Sequence, residues 1–300
     1  MAEVEYKSNG NSNRITREYL DSLLIETRYL DSVSPTLTTT LFGREIPSPI
    51  MTAALSHLDH FMFEGASQAL AEGAAKVGAV EWIGMAEEAE IERHLAAGAT
   101  LIEIIKPYAD RSVLYRKLDH AVQKGLLAVG VDIDHAFGPD GSADVVNGIE
   151  MRGLTTAELA ELCDKSPLPV IVKGVLSRRD AERSLAAGAG GLLLSHHNNR
   201  IEYAVPPLML LPEIAELTAG RAPIFVDCEI RTGMDAFKAL ALGASGVCIG
   251  RPLMAAVKNG GAQGVAEYLQ TANAELAKAM AFTGCSDMGK MDRTVIHKRG

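Results

Sequence analysis

Basic, acidic and histidine residues follow short apolar runs of this sequence, at positions from which they could share one reaction site. Lys173 ends the run Pro-Val-Ile-Val, Asp132 ends the run Leu-Leu-Ala-Val-Gly-Val, and His197 and Arg200 follow the run Gly-Leu-Leu-Leu. A histidine exchanges a proton near neutral pH, an aspartate can orient it, and an arginine can hold a carboxylate in bidentate fashion. A buried lysine can be a Schiff-base amine or a cation fixed beside an electron-rich cofactor. These residues predict proton transfer on a small anionic substrate.

A second group of residues has the chemistry of a phosphate site. Arg231 and the pair Gly250-Arg251 follow two later apolar runs. Glycine allows backbone N–H groups to approach a phosphate, and arginines add charge-assisted hydrogen bonds. Simpler interpretations remain open, namely two surface arginines, a histidine on the rim of the fold, and a lysine whose ammonium reaches solvent.

Eight β-rich apolar runs alternate with helix-length segments after residue 48, and this order indicates the fold. The predicted strands are Pro49–Leu55, Ala79–Ile83, Leu101–Ile105, Leu126–Asp132, Pro169–Val175, Gly191–Ser195, Pro223–Asp227 and Gly246–Ile249. The predicted helices between them include Glu88–Ala97, Ser112–Gln123, Thr156–Cys163, Arg178–Ala186 and Met234–Leu242. Such continuous hydrophobicity is typical of parallel strands that are buried on both faces. We therefore predict an α/β protein with a (β/α)₈ TIM barrel, in which reactive groups lie at the carboxyl ends of the strands.

A doubly wound open sheet is the alternative, although no G-x-G-x-x-G follows the first strand. The region before the barrel predicts a short N-terminal helical extension. Its first dozen residues, up to Asn13, are polar and indicate a flexible tail, and a short helix is predicted over Tyr19–Thr27. The expected division is a tail and extension over residues 1–47 and a barrel over residues 48–300.

Composition limits the possible partners and compartments. The 38 acidic and 29 basic residues give a formal net charge of −9, which disfavours nucleic acid and anionic membrane surfaces. No apolar stretch is long enough to span a membrane. Four scattered cysteines without a C-x-x-C pair indicate reduced thiols and a cytoplasmic protein. His57 and His60 lie three residues apart without a further histidine at suitable spacing, so no metal site is predicted.

The residues after the last four strands carry a specific resemblance. The segment that begins Asp227-Cys-Glu-Ile-Arg231 continues through Lys-Ala-Leu-Ala-Leu-Gly-Ala to Gly250-Arg251-Pro. Together with Lys173-Gly and the Ser-His-His-Asn-Asn-Arg run ending at Arg200, it resembles the FMN-dependent 2-hydroxy acid oxidases and dehydrogenases, such as glycolate oxidase and lactate oxidase. The similarity extends from about Thr36 to Val295.

The resemblance implies a role for each matching residue. His197 would remove the substrate's hydroxyl proton as hydride passes to flavin N5, with Asp132 pairing its imidazolium. Arg200 would bind the substrate carboxylate. The residues expected to hold FMN are Ala53, Ala54, Lys173, Ser195, Asp227, Arg231, Gly250 and Arg251. The resemblance also implies a homo-oligomer, a tetramer, whose electron acceptor is not identified by any motif.

Several positions depart from the family pattern. Lys106 stands where the family has a catalytic tyrosine, Ile104 replaces a glutamine, and Gly130 replaces a flavin-contacting threonine. Paired glycines are replaced at 198–199 by Asn-Asn and at 228–229 by Cys-Glu. Lys106 is therefore retained as a candidate catalytic residue, and a substrate other than simple lactate or glycolate is expected.

Three alternative functions remain at this point. One is an FMN-dependent isomerase similar to type 2 isopentenyl diphosphate isomerase. Another is a flavin-free aldolase that uses Lys173 as a Schiff base, with Arg231 and Arg251 holding a sugar phosphate. The third is a flavin-binding protein without catalytic activity, because the strand-3 tyrosine and strand-4 threonine are absent.

Overall fold

Eight parallel strands form the centre of the protein in the computed structural model, which describes residues 8–300. All eight predicted strands are present. They are β1 Ile50–Thr52, β2 Val80–Gly84, β3 Thr100–Ile105, β4 Ala128–Asp132, β5 Val170–Val175, β6 Gly191–Leu194, β7 Ile224–Val226 and β8 Gly246–Ile249. Within the described residues, no helix has both the length and the apolar character needed to span a membrane.

The order of the strands closes the sheet into a barrel. Hydrogen bonding runs continuously from β2 through β3 to β8 and on to β1. The remaining gap, between β1 and β2, is bridged in parallel by Leu55 and Ile83, while the Trp82 N–H donates to Thr52 Oγ1 over 3.1 Å. This arrangement confirms the predicted (β/α)₈ barrel.

Helices surround the barrel, and the five predicted between the strands are all present. The helices are α1 Ser12–Ser22, α2 Leu58–Phe61, α3 Ala66–Lys76, α4 Glu88–Ala96, α5 Arg111–Lys124, α6 Thr156–Lys165, α7 Arg178–Ala186, α8 Pro207–Thr218, α9 Gly233–Ala241 and α10 Arg251–Thr283. Two of the predicted helices begin with capping boxes, in which Thr155 and Thr232 bond reciprocally with Glu158 and Asp235. Helix α10 contains a kink at Gly261.

The N-terminal prediction was wrong in its boundaries. A helix begins at Ser12, inside the segment expected to be a flexible tail, and Tyr19–Thr27 is helical only as far as Ser22. Leu23–Ile25 instead forms a small antiparallel pair with Ile296–Lys298. Asn11 caps α1 by accepting from the backbone N–H groups of Asn13 and Arg14. Of the polar residues that suggested a tail, Asn11 is thus the cap and Ser12 and Asn13 begin the helix, while the tail predicted over residues 1–7 lies outside the described residues.

Alternation along the strands separates the barrel interior from the surface that contacts the helices. Side chains that pack inside include Met51, Trp82, Ile104, Ile171 and Phe225, all nearly inaccessible to solvent. The Trp82 and Phe225 rings meet edge to face, with centroids 5.0 Å apart. The interior is therefore a packed apolar core, as expected for eight strands.

Helices α9 and α10 approach each other closely at Gly233, which makes this position a test of the packing. A Cβ at Gly233 would lie 2.1 Å from Ala272 O and 2.4 Å from Leu276 N, both of them backbone atoms. Because backbone cannot move aside as a side chain can, we expect Gly233→Ala to lower the free energy of unfolding by about 1–3 kcal/mol. Chemical denaturation measures this loss.

Gly260→Ala is the matched control for that variant, because a Cβ at Gly260 meets no atom within 4 Å. In helix α10 the added methyl group should be neutral or should stabilise the protein by up to about 1 kcal/mol. Equal effects of the two substitutions would contradict the close packing of α9 against α10.

Candidate active site

One layer of inward-facing residues forms the candidate site at the carboxyl ends of the strands. Each of these residues lies two positions after a residue that faces the barrel interior, so the alternation of the strand turns it inward as well. The layer consists of Ala53, Lys106, Asp132, Lys173, Ser195, Asp227 and Gly250. All seven belong to the predicted site. The apolar core below thus ends in a polar layer to which seven of the eight strands contribute.

Asp132 lies between two lysines at the centre of this layer. Its Oδ1 accepts from Lys173 Nζ over 2.7 Å, and its Oδ2 accepts from Lys106 Nζ over 2.5 Å. The three residues are at most 4% exposed. Strand register explains the first contact, because Lys173 and Asp132 are direct partners of the β5–β4 pair.

The ion pairs shift the pKa values of these groups in different directions. Burial alone would raise the pKa of Asp132, but the two lysines outweigh it and hold that pKa well below its usual range. Burial would likewise lower the pKa of Lys173, but Asp132, Asp134 and Asp227 raise it above its ordinary value. For Lys106 burial prevails and its pKa is lowered. Lys173 is therefore a fixed cation, and Lys106 is the more readily deprotonated amine.

His197 lies beside this triad, in contact with both charge types. Its Nδ1 is 3.0 Å from Lys173 Nζ and 3.0 Å from Asp134 Oδ1, whereas Asp132 Oδ1 is 3.6 Å away. The nearer carboxylate is thus Asp134, which the sequence did not single out as the partner of this histidine. Two carboxylates and one ammonium group therefore lie around this imidazole.

A second histidine joins His197 to the arginine. His135 Nε2 lies 3.3 Å from His197 Nε2, and His135 Nδ1 lies 2.9 Å from Asp144 Oδ2. Burial, with the nearby Lys106 and His197, lowers the pKa of His135 to about 4. Arg200 pairs with the same Asp144 and also donates to the backbone carbonyls of Asp134 and Phe137. The predicted carboxylate-binding arginine is therefore already paired with a carboxylate of this chain.

Asp144 belongs to a long loop after β4, residues 136–151, which we call the β4 loop. It contacts loops that follow three other strands. Asn147 Nδ2 lies 3.5 Å from His57 Nε2, Met151 forms a β-bridge with Tyr108, and Phe137 accepts from Arg200 as described above. The β4 loop therefore borders the site, and it reaches Arg200 through the Asp144 carboxylate and the Phe137 carbonyl.

Two departures from the family pattern turn out to be one structural feature. A Cβ at Gly130 would lie 2.4 Å from Ile104 Cδ1, on the neighbouring strand β3. The isoleucine at 104 fills the space that a threonine at 130 would need. Sequence alone shows both substitutions but not that the two positions are in contact.

Helix α1 supports the loop that carries His197. Residues 197–199 all have positive φ, a conformation that asparagine tolerates better than most other residues. The side-chain oxygens of Asn198 and Asn199 accept from Asn13 Nδ2 and Ser12 N over 2.9 and 2.6 Å. The amides that replace the family's paired glycines are thus fixed by the segment that was expected to be a tail.

Two predicted arginines meet at the start of helix α10. Arg231 Nη2 lies 2.5 Å from Glu229 Oε2, and Arg251 Nη2 pairs with the other oxygen of the same carboxylate. Gly250 is the N-cap of α10, and Arg251 is its first residue. Two guanidinium groups and the positive end of a helix make an anion site, which Glu229 fills from within the chain.

The remaining predicted residues lie between the anion site and the lysines. Ser195 Oγ accepts from His197 N over 3.0 Å, and Asp227 Oδ1 accepts from Cys228 Sγ over 2.9 Å. The Ala53 N–H donates to Ile249 O, and Ala54 follows it next to Gly84.

These residues fit FMN on the chemistry of their donors. Lys173 provides a fixed cation within the layer, and Arg231, Arg251 and the start of α10 provide donors for a phosphate. The side chain of Glu229 already pairs with both arginines, so a phosphate at this corner would compete with it.

A metal ion is less well provided for. Ligand atoms of Asp132, His135 and His197 lie within 4.8 Å of one another. However, the lysines already occupy both oxygens of Asp132, and Lys173 lies against His197 Nδ1. A cation at this point would have to compete with two ammonium groups.

Comparisons with known proteins agree with this chemistry. The family model described as FMN-dependent dehydrogenase matches residues 5–158 and 140–298. Glycolate oxidase of Spinacia oleracea is 28% identical, over 98% of this chain and 88% of that protein. L-lactate oxidase of Roseobacter sp. (strain GAI101) is 31% identical, over 83% of this chain and 76% of its own.

Solved structures show the same relationship. A mandelate oxidase variant with a monooxide FMN adduct superposes with a TM-score of 0.86 at 28% identity, over 97% of this chain and 92% of that one. Another, with (S)-mandelic acid, has the same TM-score and identity. This chain therefore belongs to the FMN-dependent dehydrogenase family, among the 2-hydroxy acid oxidases, and its cofactor is FMN.

Proposed function

We propose that this protein oxidises a 2-hydroxy acid bulkier than glycolate or lactate, with His197 as the base. The observation that carries the proposal is the position of His197, whose Nδ1 lies 3.0 Å from both Lys173 Nζ and Asp134 Oδ1 inside the inward layer. FMN, when bound, supplies the acceptor for the hydride of the substrate carbon.

The residues of the chain divide the remaining work. His197 takes the hydroxyl proton, and Asp134 together with the more distant Asp132 stabilises the resulting imidazolium. Arg200 binds the substrate carboxylate in exchange for Asp144. Lys173 holds a positive charge beside the cofactor, and Lys106 donates a hydrogen bond from the position of the family's tyrosine.

Apolar side chains at the mouth support a bulky substrate. Phe61, Phe137 and Val145 are 60–69% exposed on the segments after β1 and β4, and the His57–Asn147 contact joins these segments. Solved relatives are described in complex with (S)-mandelic acid, an aromatic 2-hydroxy acid. An exposed apolar rim around a charged site suits a ligand with one apolar and one anionic end.

The charge on Lys173 argues against the aldolase. A Schiff-base lysine must lose its proton, whereas the carboxylates around Lys173 raise its pKa. Membership of an oxidase family likewise favours oxidation over isomerisation.

We also infer a cytoplasmic homotetramer whose electron acceptor is oxygen, a quinone or another protein. The four free cysteines support the compartment, and the resemblance to the oxidases supports the assembly. The proposed domain division remains an extension over 1–47 and a barrel over 48–300.

Anaerobic reduction of the bound flavin tests the proposed function. We expect mandelate and other bulky 2-hydroxy acids to bleach the flavin absorbance faster than glycolate or lactate does. In His197→Gln the rate should fall about 10²–10⁴-fold, because the proton acceptor is lost. The amount of FMN bound by His197→Gln should equal that bound by the wild type. His60→Gln, on an exposed histidine, is the control. A preference for glycolate would refute the bulky substrate. An unaffected rate in His197→Gln would refute the role of His197 as the base.

Asp144→Asn should improve substrate binding, because it removes the carboxylate that competes for Arg200. We expect KM for the hydroxy acid to fall about three- to tenfold with little change in kcat. Asp140→Asn makes the same change of charge in the β4 loop and should leave KM unaltered, because the Asp140 side chain accepts from Ser142 rather than from Arg200. A higher KM in Asp144→Asn would show that Asp144 helps to bind the substrate.

His135 should make stability depend on pH. Its pKa of about 4 in the folded protein lies below the ordinary 6.5, so between these values the unfolded chain binds more protons. The contribution of neutral His135 to the free energy of unfolding is therefore fully present above pH 6.5 and is lost as the pH falls from 6.5 toward 4. From pH 7 to pH 5 the wild type should lose about 1–2 kcal/mol more than His135→Gln in urea unfolding. Parallel pH profiles would contradict this role of His135.

A further inference from the structure

We propose that Glu229 is a specificity-determining residue for the cofactor, which competes with the FMN phosphate and weakens the preference for FMN over unphosphorylated riboflavin. The inference rests on the family's use of FMN and goes beyond it. It assigns a role to a residue that replaces a glycine of the family pattern.

Glu229 occupies the anion site with both oxygens of its carboxylate. Each oxygen of Glu229 pairs with a different arginine, Arg231 or Arg251, and the side chain is fully buried although the two arginines are partly exposed. These are the same donors that a phosphate would use. The positive end of helix α10 favours either anion at this point.

Glu229 lies in a loop whose backbone has a left-handed conformation. Its φ is 62°, and the preceding Cys228 has a φ of 66°. Neither residue type favours this left-handed region, which costs a non-glycine residue free energy. The loop nevertheless adopts this conformation, with the Glu229 carboxylate buried against the arginines.

The backbone of this loop is held by side chains of helices α1 and α10. Arg17 of helix α1 donates to the Glu229 carbonyl over 3.0 Å and pairs with Asp235 over 2.7 Å. Tyr268 Oη donates to the Arg231 carbonyl. With the backbone held, a phosphate can enter only if the Glu229 side chain leaves the arginines or shares them.

Charge at the corner gives the direction of the effect. Glu229 brings a negative charge to the two arginines, at the place that a phosphate would take. A phosphate must therefore either displace a carboxylate from two ion pairs or bind beside a like charge, which weakens its binding in both cases. The isoalloxazine and ribityl parts of the flavin carry no such charge, so riboflavin is affected much less.

Flavin titration of the full chain tests this proposal. The flavin is removed, and FMN or riboflavin is added back while quenching of flavin fluorescence reports binding. We expect the wild type to prefer FMN over riboflavin by less than about a hundredfold. Glu229→Gln should raise FMN affinity by at least about tenfold, with riboflavin affinity changed by less than about threefold. Glu229→Gly, which also relieves the positive φ, should do at least as much.

Glu267→Gln is the matched control, because it makes the same change of charge on α10 at an exposed carboxylate that accepts from Gln263. Its FMN-to-riboflavin preference should equal that of the wild type. If both Glu229 variants keep the wild-type preference within about a factor of two, the proposal is wrong. Should neither variant fold, a wild-type preference above about a hundredfold overturns it and a lower one supports it. No substrate turnover is involved, so failure of the proposed oxidation leaves this result unaffected.

Discussion

The ion pairs of Asp132 with Lys106 and Lys173 are the constraint around which the site is built. Three charged groups in an apolar barrel are tolerable only because each is matched, since an uncompensated buried charge costs several kcal/mol. Strand register fixes the match of Asp132 with Lys173, and the alternation of β3 brings Lys106 to the same layer. His197 then lies against Lys173, whose charge is fixed. The electrostatic field around the imidazole is therefore set by a residue that the strand register of the barrel positions.

A second theme is that carboxylates of the chain stand at both anion sites. Asp144 pairs with the arginine proposed to bind the substrate, and Glu229 pairs with the two arginines of the phosphate corner. Five cations stand at the ends of the strands, namely Lys106, Lys173, Arg200, Arg231 and Arg251. Each pairs in the folded protein with a carboxylate of the chain, so an anionic ligand has to compete with an internal carboxylate.

The N-terminal helix links these two regions. It holds Asn198 and Asn199 on the loop of His197, and Arg17 holds the backbone of Glu229. The replacements of paired glycines therefore need not mean a degraded site. Each brings side-chain contacts with a neighbouring element, and these contacts stabilise loop conformations that glycine would adopt without help.

The barrel could be predicted from the sequence, because eight continuous apolar runs separated by amphipathic segments can be buried in few ways. The carboxyl ends of these runs also indicated where the reactive groups lie, since barrels of this kind carry their active sites at that end. The contacts of the site could be seen only in the folded protein: Asp134 is nearest to His197, Ile104 lies against Gly130, and the end of the predicted tail belongs to a helix against the site. Periodicity gives the face on which a side chain lies, whereas a contact between distant loops depends on three-dimensional distances that no local pattern encodes.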